Sequence, residues 1–469
     1  VPVACRHVTF TSIFRPVKKE HIHFIAIGGS AMHSLAIALS RSGKQVSGSD
    51  DEIFDPARSS LYKAGILPES EGWFPDKIHS GLSAVILGMH ARADNPELAR
   101  ARELGLTIYS YPEYLHIAYA NARRIVIGGS HGKTTITSMI LHLFNEAGLD
   151  TDYMVGARLK GLENPLKISG AALAVIEGDE YLTSALDRRP KFHLYKPHIA
   201  IISGIAWDHI NVFPTFENYT EQFRIFTDTI EPGGHLIANA EDEAVIRITQ
   251  HIRSDIQLHL YRTPDYYVEN GETFLQTENG PLQLQIFGQH NLLNAMAAVK
   301  VAELAGIPRE KALQYLAGFS GAEKRLEKLC EQNGRSVYKD FAHAPSKVRS
   351  TLSAFLEKTG EALSCFELHT FSSLNKEFLP QYHNSLNEAS EACLFYSPHA
   401  LELKRMPPLS EADIQAAFAH PSLYIFTDPE ELRRFILSRK ERYRHLLMMS
   451  SGNWDGLDLT QLAADFCTI

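Results

Sequence analysis

The sequence predicts an α/β protein built as three tandem units, each a largely parallel sheet with helices packed on it. Three observations carry this. The chain has 469 residues, 44% of them hydrophobic, which at about 100 to 200 residues per domain supplies three separate cores. From His21 onward, short β-rich apolar runs alternate with longer helical patterns, the rhythm of βαβ units. Two glycine turns, Gly28-Gly29 and Gly128-Gly129, fall where an apolar run gives way to a helical pattern.

Taken in order, Ile22 to Ile27 is an apolar run and reads as a strand, Ser30 to Ser42 as a helix and Gln45 to Gly48 as the next strand. Ala84 to Leu87 repeats the apolar pattern, Asn95 to Leu104 the helical one, and Thr107 to Tyr109 closes the unit. A new strand at Arg124 to Ile127 sets a boundary near Ala122. Ala172 to Glu177 and Ile199 to Ser203 are further strands, followed by the amphipathic stretch Tyr219 to Ile230. Between Leu236 and Phe287, turn residues separate short runs that read as strands, and Asn291 to Leu304 is a long helical pattern. Gly318 to Lys328 mixes glycine with charge and reads as a hinge. Beyond it, Ser336 to Asp340, Leu363 to Glu367, Ala392 to Tyr396 and His445 to Met449 read as strands of a third α/β unit. There is no internal repeat.

Charge narrows the function. Lys and Arg total 46 against 55 Asp and Glu, a formal charge of −9, so the surface as a whole offers no field for nucleic acid or an anionic membrane. Five cysteines, Cys5, Cys330, Cys365, Cys393 and Cys467, are odd in number and widely spaced, unlike a zinc site or a disulfide framework. They read as reduced thiols of a cytoplasmic protein, with neither a signal-peptide core nor a bilayer-length apolar run.

The strongest local signal is Ile125-Val-Ile-Gly-Gly-Ser-His-Gly-Lys-Thr-Thr135, a strand breaking into glycines with Lys133-Thr134-Thr135 opening a helix. This reads as a phosphate loop rather than a ligand-free glycine turn: glycine admits the anion close to the backbone, the helix start directs free N–H groups at it, Lys133 adds charge and the Thr134 hydroxyl can ligate Mg²⁺. Its spacing, Gly129-Ser130-His131-Gly132-Lys133-Thr134, is shorter than the ordinary form, which would place glycine where Ile127 stands. The first turn, Gly28-Gly29-Ser30-Ala31-Met32, has Asp50 about twenty residues on. It lacks a full G-x-G-x-x-G, and fits NAD, another nucleotide or a plain tight turn. Val175-Ile-Glu-Gly-Asp-Glu-Tyr181 ends a strand in Glu177, Asp179 and Glu180, which beside a phosphate loop are positioned to hold Mg²⁺ and in isolation would be a solvated turn. Asp208-His209, Gly288 to Asn294, Arg325, and Asp340 with His343 each admit a structural reading when taken singly.

In order, these motifs resemble the Mur ligases, ATP-dependent amide-forming enzymes of peptidoglycan synthesis. The resemblance runs from His21 nearly to the end. It rests on the family's G-T-x-G-K-T loop at Gly129 to Thr134, with Ser130 for the first threonine, and on E-A-D-E at Glu177 to Glu180. D-H follows at Asp208-His209, G-x-H-N-x-x-N at Gly288 to Asn294, the hinge arginine at Arg325, and D-[DY]-[YF]-A-H-x-P at Asp340 to Pro345, with Lys339 in place of the first acid. It implies a three-domain Mur ligase architecture: a Rossmann-like N-terminal domain (1–121) binding a UDP-sugar, a central P-loop ATPase domain (122–321), and a C-terminal α/β domain (322–469) closing on nucleotide and amine.

The first turn is similar to that of the members that bind UDP-N-acetylmuramate, which puts Gly28, Gly29, Ser30, Ala31, Met32 and Asp50 on that substrate. One such member adds L-alanine, the other the recycled tripeptide L-Ala-γ-D-Glu-meso-diaminopimelate. Glu180 to Phe192, with Arg188, Arg189 and Lys191, and Met449 to Gly456 resemble the peptide-adding member, so the expected role is peptidoglycan recycling, with the L-alanine ligase as the alternative. Cys365 to Phe371 departs from relatives, which usually carry an arginine there, and Glu217 to Glu231 lacks the lysine that several members carbamylate.

The resemblance further implies that the acceptor carboxylate attacks the γ-phosphorus of ATP and that the amine then displaces the acyl phosphate. Lys133, Glu177, His209 and Arg325 would be catalytic, with Mg²⁺ on Thr134, Glu177 and His209. Gly129, Ser130, His131, Gly132, Thr135, His290, Asn291, Asn294, Arg325, Asp340 and His343 would bind ATP. An NAD-dependent dehydrogenase resting on Gly28-Gly29 and Asp50 leaves the phosphate loop unexplained, and a nucleotide-regulated binding protein would release no phosphate.

Overall fold

The computed structural model describes residues 19–89, 91–156, 162, 164–184, 187–207, 212–321 and 326–468. The chain forms two compact units, Val1–Tyr111 and Pro112–Ile469. The first is built on four parallel strands, β1 (His21–Ile25), β2 (Gln45–Ser49), β3 (Ala84–Leu87) and β4 (Ile108–Ser110), in the order β2-β1-β3-β4. Phe24, Ile25, Val85 and Ile86 are fully buried, as strands covered on both faces require. The chain passes from β1 to β2 on one side and then crosses to β3 on the other, so the Gly28-Gly29 turn after β1 lies at a switch point of the sheet, where parallel sheets leave a crevice.

The second unit holds three sheets. Its largest contains β5 (Arg123–Gly128), β6 (Thr151–Met154), β7 (Leu166–Lys167), β8 (Leu173–Glu177), β9 (Ile199–Ile202), β10 (His235–Asn239) and β11 (Gln257–Tyr261), ordered β11-β10-β9-β5-β8-β6-β7 and parallel except for β7. The phosphate-loop helix, Lys133–Glu146, packs Ile136, Met139, Ile140 and Leu143 with Ala295, Ala298 and Ala302 of the Gln289–Leu304 helix in one core. Small alanines let these helices approach closely.

A three-stranded antiparallel sheet follows, β12 (Tyr266–Glu269), β13 (Glu272–Thr277) and β14 (Gly280–Leu284). The third sheet is β15 (Glu327–Gln332), β16 (Arg335–Asp340), β17 (Leu363–Leu368), β18 (Glu391–Tyr396), β19 (Leu423–Phe426) and β20 (His445–Met449), ordered β15-β16-β20-β17-β18-β19, with only β15 antiparallel. Along β17, Cys365 joins the apolar cluster of Trp454 and Phe466 while Phe366 joins that of Phe355 and Tyr382, so both faces of the sheet are covered.

The stretch from Leu236 to Phe287 is not strand throughout. Glu243–Thr249 is a helix whose cap, Asp242, accepts from the Ala244 and Val245 amides at 2.9 and 3.1 Å, a start signal outweighed in the sequence by the flanking turn residues. The segment Pro112 to Ala122 packs with the second unit: the Tyr119 hydroxyl donates to the Tyr153 and Lys167 carbonyls at 3.0 and 2.9 Å. Among the described residues Cys330, Cys365, Cys393 and Cys467 are free thiols, and no helix is long and apolar enough to cross a membrane.

Candidate active site

Register explains why the phosphate loop has the neighbours it has. β5 lies between β8 and β9, pairing Ile127 with Glu177 on one side and Gly128 with Ile202 on the other. Where β5 ends and the loop begins, β8 therefore delivers Glu177 and β9 delivers Ser203. Gly129, at φ +134°, has no room for a side chain, since a Cβ would lie 2.1 Å from Ser203 Oγ. At Gly132, φ is +80° and a Cβ would lie 2.5 Å from Asn294 Oδ1. Both glycines are thus required by backbone shape and by close approach. The Ser130 amide donates to the Gly204 carbonyl at 2.9 Å, and its hydroxyl lies 2.8 Å from the Tyr219 hydroxyl. The Lys133 helix starts with neither a side-chain cap nor an acid in its first turn.

The carboxylates at the end of β8 and just after it divide their work. Glu177 accepts from the Thr134 hydroxyl at 2.8 Å through one oxygen and from the Gly156 amide at 2.8 Å through the other. Lys133 Nζ donates to Glu180 Oε2 at 2.7 Å and to the Gly129 carbonyl at 2.6 Å, and Tyr219 donates to Glu180 Oε1 at 3.2 Å. Burial works against the Lys133 charge, but Glu180, then Asp179, outweighs it and holds the ammonium above the usual lysine range. Burial would raise Asp179, yet Lys191, 2.6 Å away, and Lys133 keep it below the usual carboxylate range. Burial, with Lys347, Lys133 and His290 adding to it, pushes His131 down to about 3, so this loop imidazole is neutral.

A cleft of about 710 Å³ opens in front of the loop. Residues from Ser130 to Thr135 and Glu177 form one side, His290, Asn291 and Asn294 come from the start of the Gln289–Leu304 helix, and Asp340 with Lys347 comes from the third sheet and the helix after it. Asp340 is buried and accepts from the Leu326 and Ala342 amides at 2.7 Å each and from the Thr351 hydroxyl at 3.2 Å. Asn291 donates to the Phe287 carbonyl at 2.9 Å and fixes the helix start. His343 is not among the lining residues, and its Nδ1 lies 2.8 Å from the Phe341 carbonyl oxygen. His209 and Arg325 lie outside the described residues.

In the first unit, Gly28, Gly29, Ser30, Ala31 and Met32 form the turn and the start of the Ser30–Arg41 helix, which has no side-chain cap and no acid in its first turn. Asp50 accepts from the Gly28 amide at 2.7 Å and from the Asp51 amide at 3.0 Å, so it shapes the turn from β2. Of the basic trio, Arg189 is paired with Asp187 at 2.6 Å and Lys191 with Asp179, whereas Arg188 is exposed and makes no ion pair among the described residues.

Sequence reasoning missed Tyr219, Ser203 and Lys347. Tyr219 and Ser203 carry no local motif. Lys347 stands two residues after the motif proline Pro345, where a cation at a helix start was a signal to notice.

Residues 127–302 match the model of the Mur ligase middle domain, and residues 21–123 that of the Mur ligase family, catalytic domain. A UDP-N-acetylmuramate–L-alanine ligase of Arthrobacter sp. strain FB24 is 34% identical over 79% of this chain and 80% of its own length. A Haemophilus influenzae UDP-N-acetylmuramate–L-alanyl-γ-D-glutamyl-meso-2,6-diaminoheptandioate ligase is 26% identical over 93% of this chain and 97% of its own. The crystal structure of the UDP-N-acetylmuramate–alanine ligase of Thermotoga maritima superposes with a TM-score of 0.65 at 21% identity, covering 95% of this chain and 98% of that one, and shares its fold.

Proposed function

The chain belongs to the Mur ligase family of ATP-dependent amide ligases, and on that premise we propose that it joins the tripeptide L-Ala-γ-D-Glu-meso-diaminopimelate to the carboxylate of UDP-N-acetylmuramate in the cytoplasm. The observation that carries the ligase reading is the pairing of Lys133 and Thr134 with two carboxylates, Glu180 and Glu177, where Lys133, Thr134 and Glu177 line one cleft. The amides at the start of the Lys133 helix, with Gly129 and Gly132, cradle phosphate oxygens. Lys133, held in place by Glu180, swings its charge to the triphosphate when the nucleotide enters. A hydroxyl and a carboxylate are hard oxygen donors that fit Mg²⁺, so Thr134 and Glu177 would hold the ion, which supplies charge neutralisation along the triphosphate when bound. Asn294 keeps the loop in shape by filling the space beside Gly132.

UDP-N-acetylmuramate belongs at the Gly28 to Met32 turn, its diphosphate against the uncapped start of the Ser30 helix. Meeting of a carboxylate and a triphosphate requires positioning and charge neutralisation above all, which is what the loop, Lys133 and His209 or Arg325 would provide. The acyl phosphate needs protection from water, and Asp340 helps by tying the third sheet to the helix that closes the cleft.

The peptide reading rests on Glu180 to Phe192 and Met449 to Gly456. A second reading, L-alanine as the amine, is supported by the greater identity of the Arthrobacter relative. Phosphate release from ATP and UDP-N-acetylmuramate, with the tripeptide, L-alanine and longer stem peptides offered side by side, tests both. Preference for the tripeptide is expected. Preference for L-alanine would replace the first reading by the second, and no amine-dependent release would overturn the ligase reading.

A further inference from the structure

The helix Phe216–Asp228 turns one apolar face inward, with Tyr219, Phe223 and Phe226 fully buried at helical spacing. Thr215 caps its start by accepting from the Asn218 amide at 3.1 Å. The Tyr219 ring packs against Phe213 and edge-on against Phe223, with centroids 5.4 and 5.3 Å away. These contacts seat the ring, and none of them uses the hydroxyl. That hydroxyl ends between Ser130 of the phosphate loop, 2.8 Å away, and Glu180 Oε1, 3.2 Å away.

Proton counting gives these groups a direction. A carboxylate only accepts and a phenol has a single proton, so Tyr219 donates to Glu180 and accepts from Ser130. Ser130 Oγ in turn accepts from the Ala206 amide at 2.9 Å. The hydrogen bonds therefore run from Ala206 through Ser130 and Tyr219 to Glu180 Oε1, while Glu180 Oε2 takes the Lys133 ammonium at 2.7 Å. Ser130, Tyr219 and Glu180 are each at most 3% exposed, so water is a poor substitute for any link. Neither Tyr219 nor Glu180 is among the residues lining the cleft, and both act on it from behind Lys133 and the loop.

A buried carboxylate that loses its counter-ion is costly. Lys133 is that counter-ion, and the triphosphate draws it away. The hydrogen bonds that stay on Glu180 then decide how readily the lysine is released, and a bond to an ionised acceptor is about twice as strong as one between neutral groups. We infer that Tyr219 is a positioning residue of the ATP-dependent reaction: its hydroxyl holds the Glu180 charge when Lys133 moves to the triphosphate, and so sets the affinity for the nucleotide without touching it. This deepens the ATP-dependent reading of the site and rests on it.

The experiment uses the full chain as parent, Tyr219→Phe, Glu180→Gln and the double variant, with affinities for ATP and UDP-N-acetylmuramate measured by calorimetry in the presence of Mg²⁺ and folding checked by thermal unfolding. Tyr219→Phe is expected to weaken ATP by about tenfold and to leave UDP-N-acetylmuramate within about twofold. In the Glu180→Gln background, where there is no charge to hold, the same substitution should change ATP affinity by less than about twofold. An equal loss of ATP affinity in both backgrounds would assign the hydroxyl to shaping the loop and overturn the inference, as would a loss shared by UDP-N-acetylmuramate or no loss at all. Should Tyr219→Phe fail to fold, the double variant is expected to fold as Glu180→Gln does, and its failure beside a folded Glu180→Gln would overturn the inference too. Each of these outcomes leaves the ligase reading standing, whereas a parent that binds no ATP would overturn both.

Discussion

Lys133 and Glu180 meet at 2.7 Å beside the phosphate loop, with the glutamate side chain almost wholly buried and the lysine mostly so. The pair ties stability to chemistry, because a residue needed by the nucleotide is also the counter-ion of a buried carboxylate. Lys133→Ala should therefore lower stability by about 3 kcal/mol, the cost of leaving a buried charge unpaired, as well as reducing turnover by roughly 10² or more. Adding Glu180→Gln should return much of the stability and none of the turnover. Urea unfolding and phosphate release on the three proteins check this, and near-normal turnover in Lys133→Ala would remove the loop from the mechanism.

Glu177 uses both oxygens, one toward Thr134 and one toward Gly156. Glu177→Gln keeps an acceptor for one of them but removes the charge, so the Mg²⁺ concentration for half-maximal activity should rise about tenfold while the KM for UDP-N-acetylmuramate changes little. A magnesium titration overlaying that of the parent would take Glu177 off the metal.

Burial raises Asp50 to about 6, with the neighbouring Asp51 adding to it and the Gly28 amide opposing. An aspartate whose folded pKa stands above its unfolded value of about 4 binds more protons folded than unfolded. Its stabilising contribution is complete below about pH 4 and is lost as pH rises through about 6. Asp50→Asn, which can still accept the Gly28 amide, should be more stable than the parent at pH 7.5 by at most about 3 kcal/mol and indistinguishable from it at pH 4. Thermal unfolding across that range checks the sign. A difference that does not vary with pH would show that the carboxylate does not titrate as stated.

Arg188 and Arg189 are adjacent but differ in setting. Both are exposed, but Arg189 is held by Asp187 at 2.6 Å, whereas Arg188 makes no ion pair among the described residues. If the segment docks the peptide, Arg188→Ala should raise the tripeptide KM several-fold with kcat little changed, while Arg189→Ala does less. Equal KM values for parent and Arg188→Ala would remove the segment from peptide binding.

The parts of this protein that were legible in the sequence are those encoded over a few residues. Gly129 and Gly132 announce a backbone that only glycine adopts freely, Lys133-Thr134 announces a helix start suited to phosphate, and unbroken apolar runs such as Ile125 to Ile127 and Ala84 to Leu87 announce buried parallel strands. The Glu243–Thr249 helix was lost among turn residues because a seven-residue helix depends on its cap and its packing more than on its periodicity.

What only the tertiary structure decided is which distant residues meet. Lys133 and Glu180 are 47 positions apart and Ser130 and Tyr219 are 89. They meet because β5 is inserted between β8 and β9 in a register that brings the strand ends together. Lys347 lines the same cleft from a helix far along the sequence from the loop. Local patterns specify φ, caps and buried faces. Strand order and helix docking are set by the burial of many apolar side chains at once, and no single motif records them.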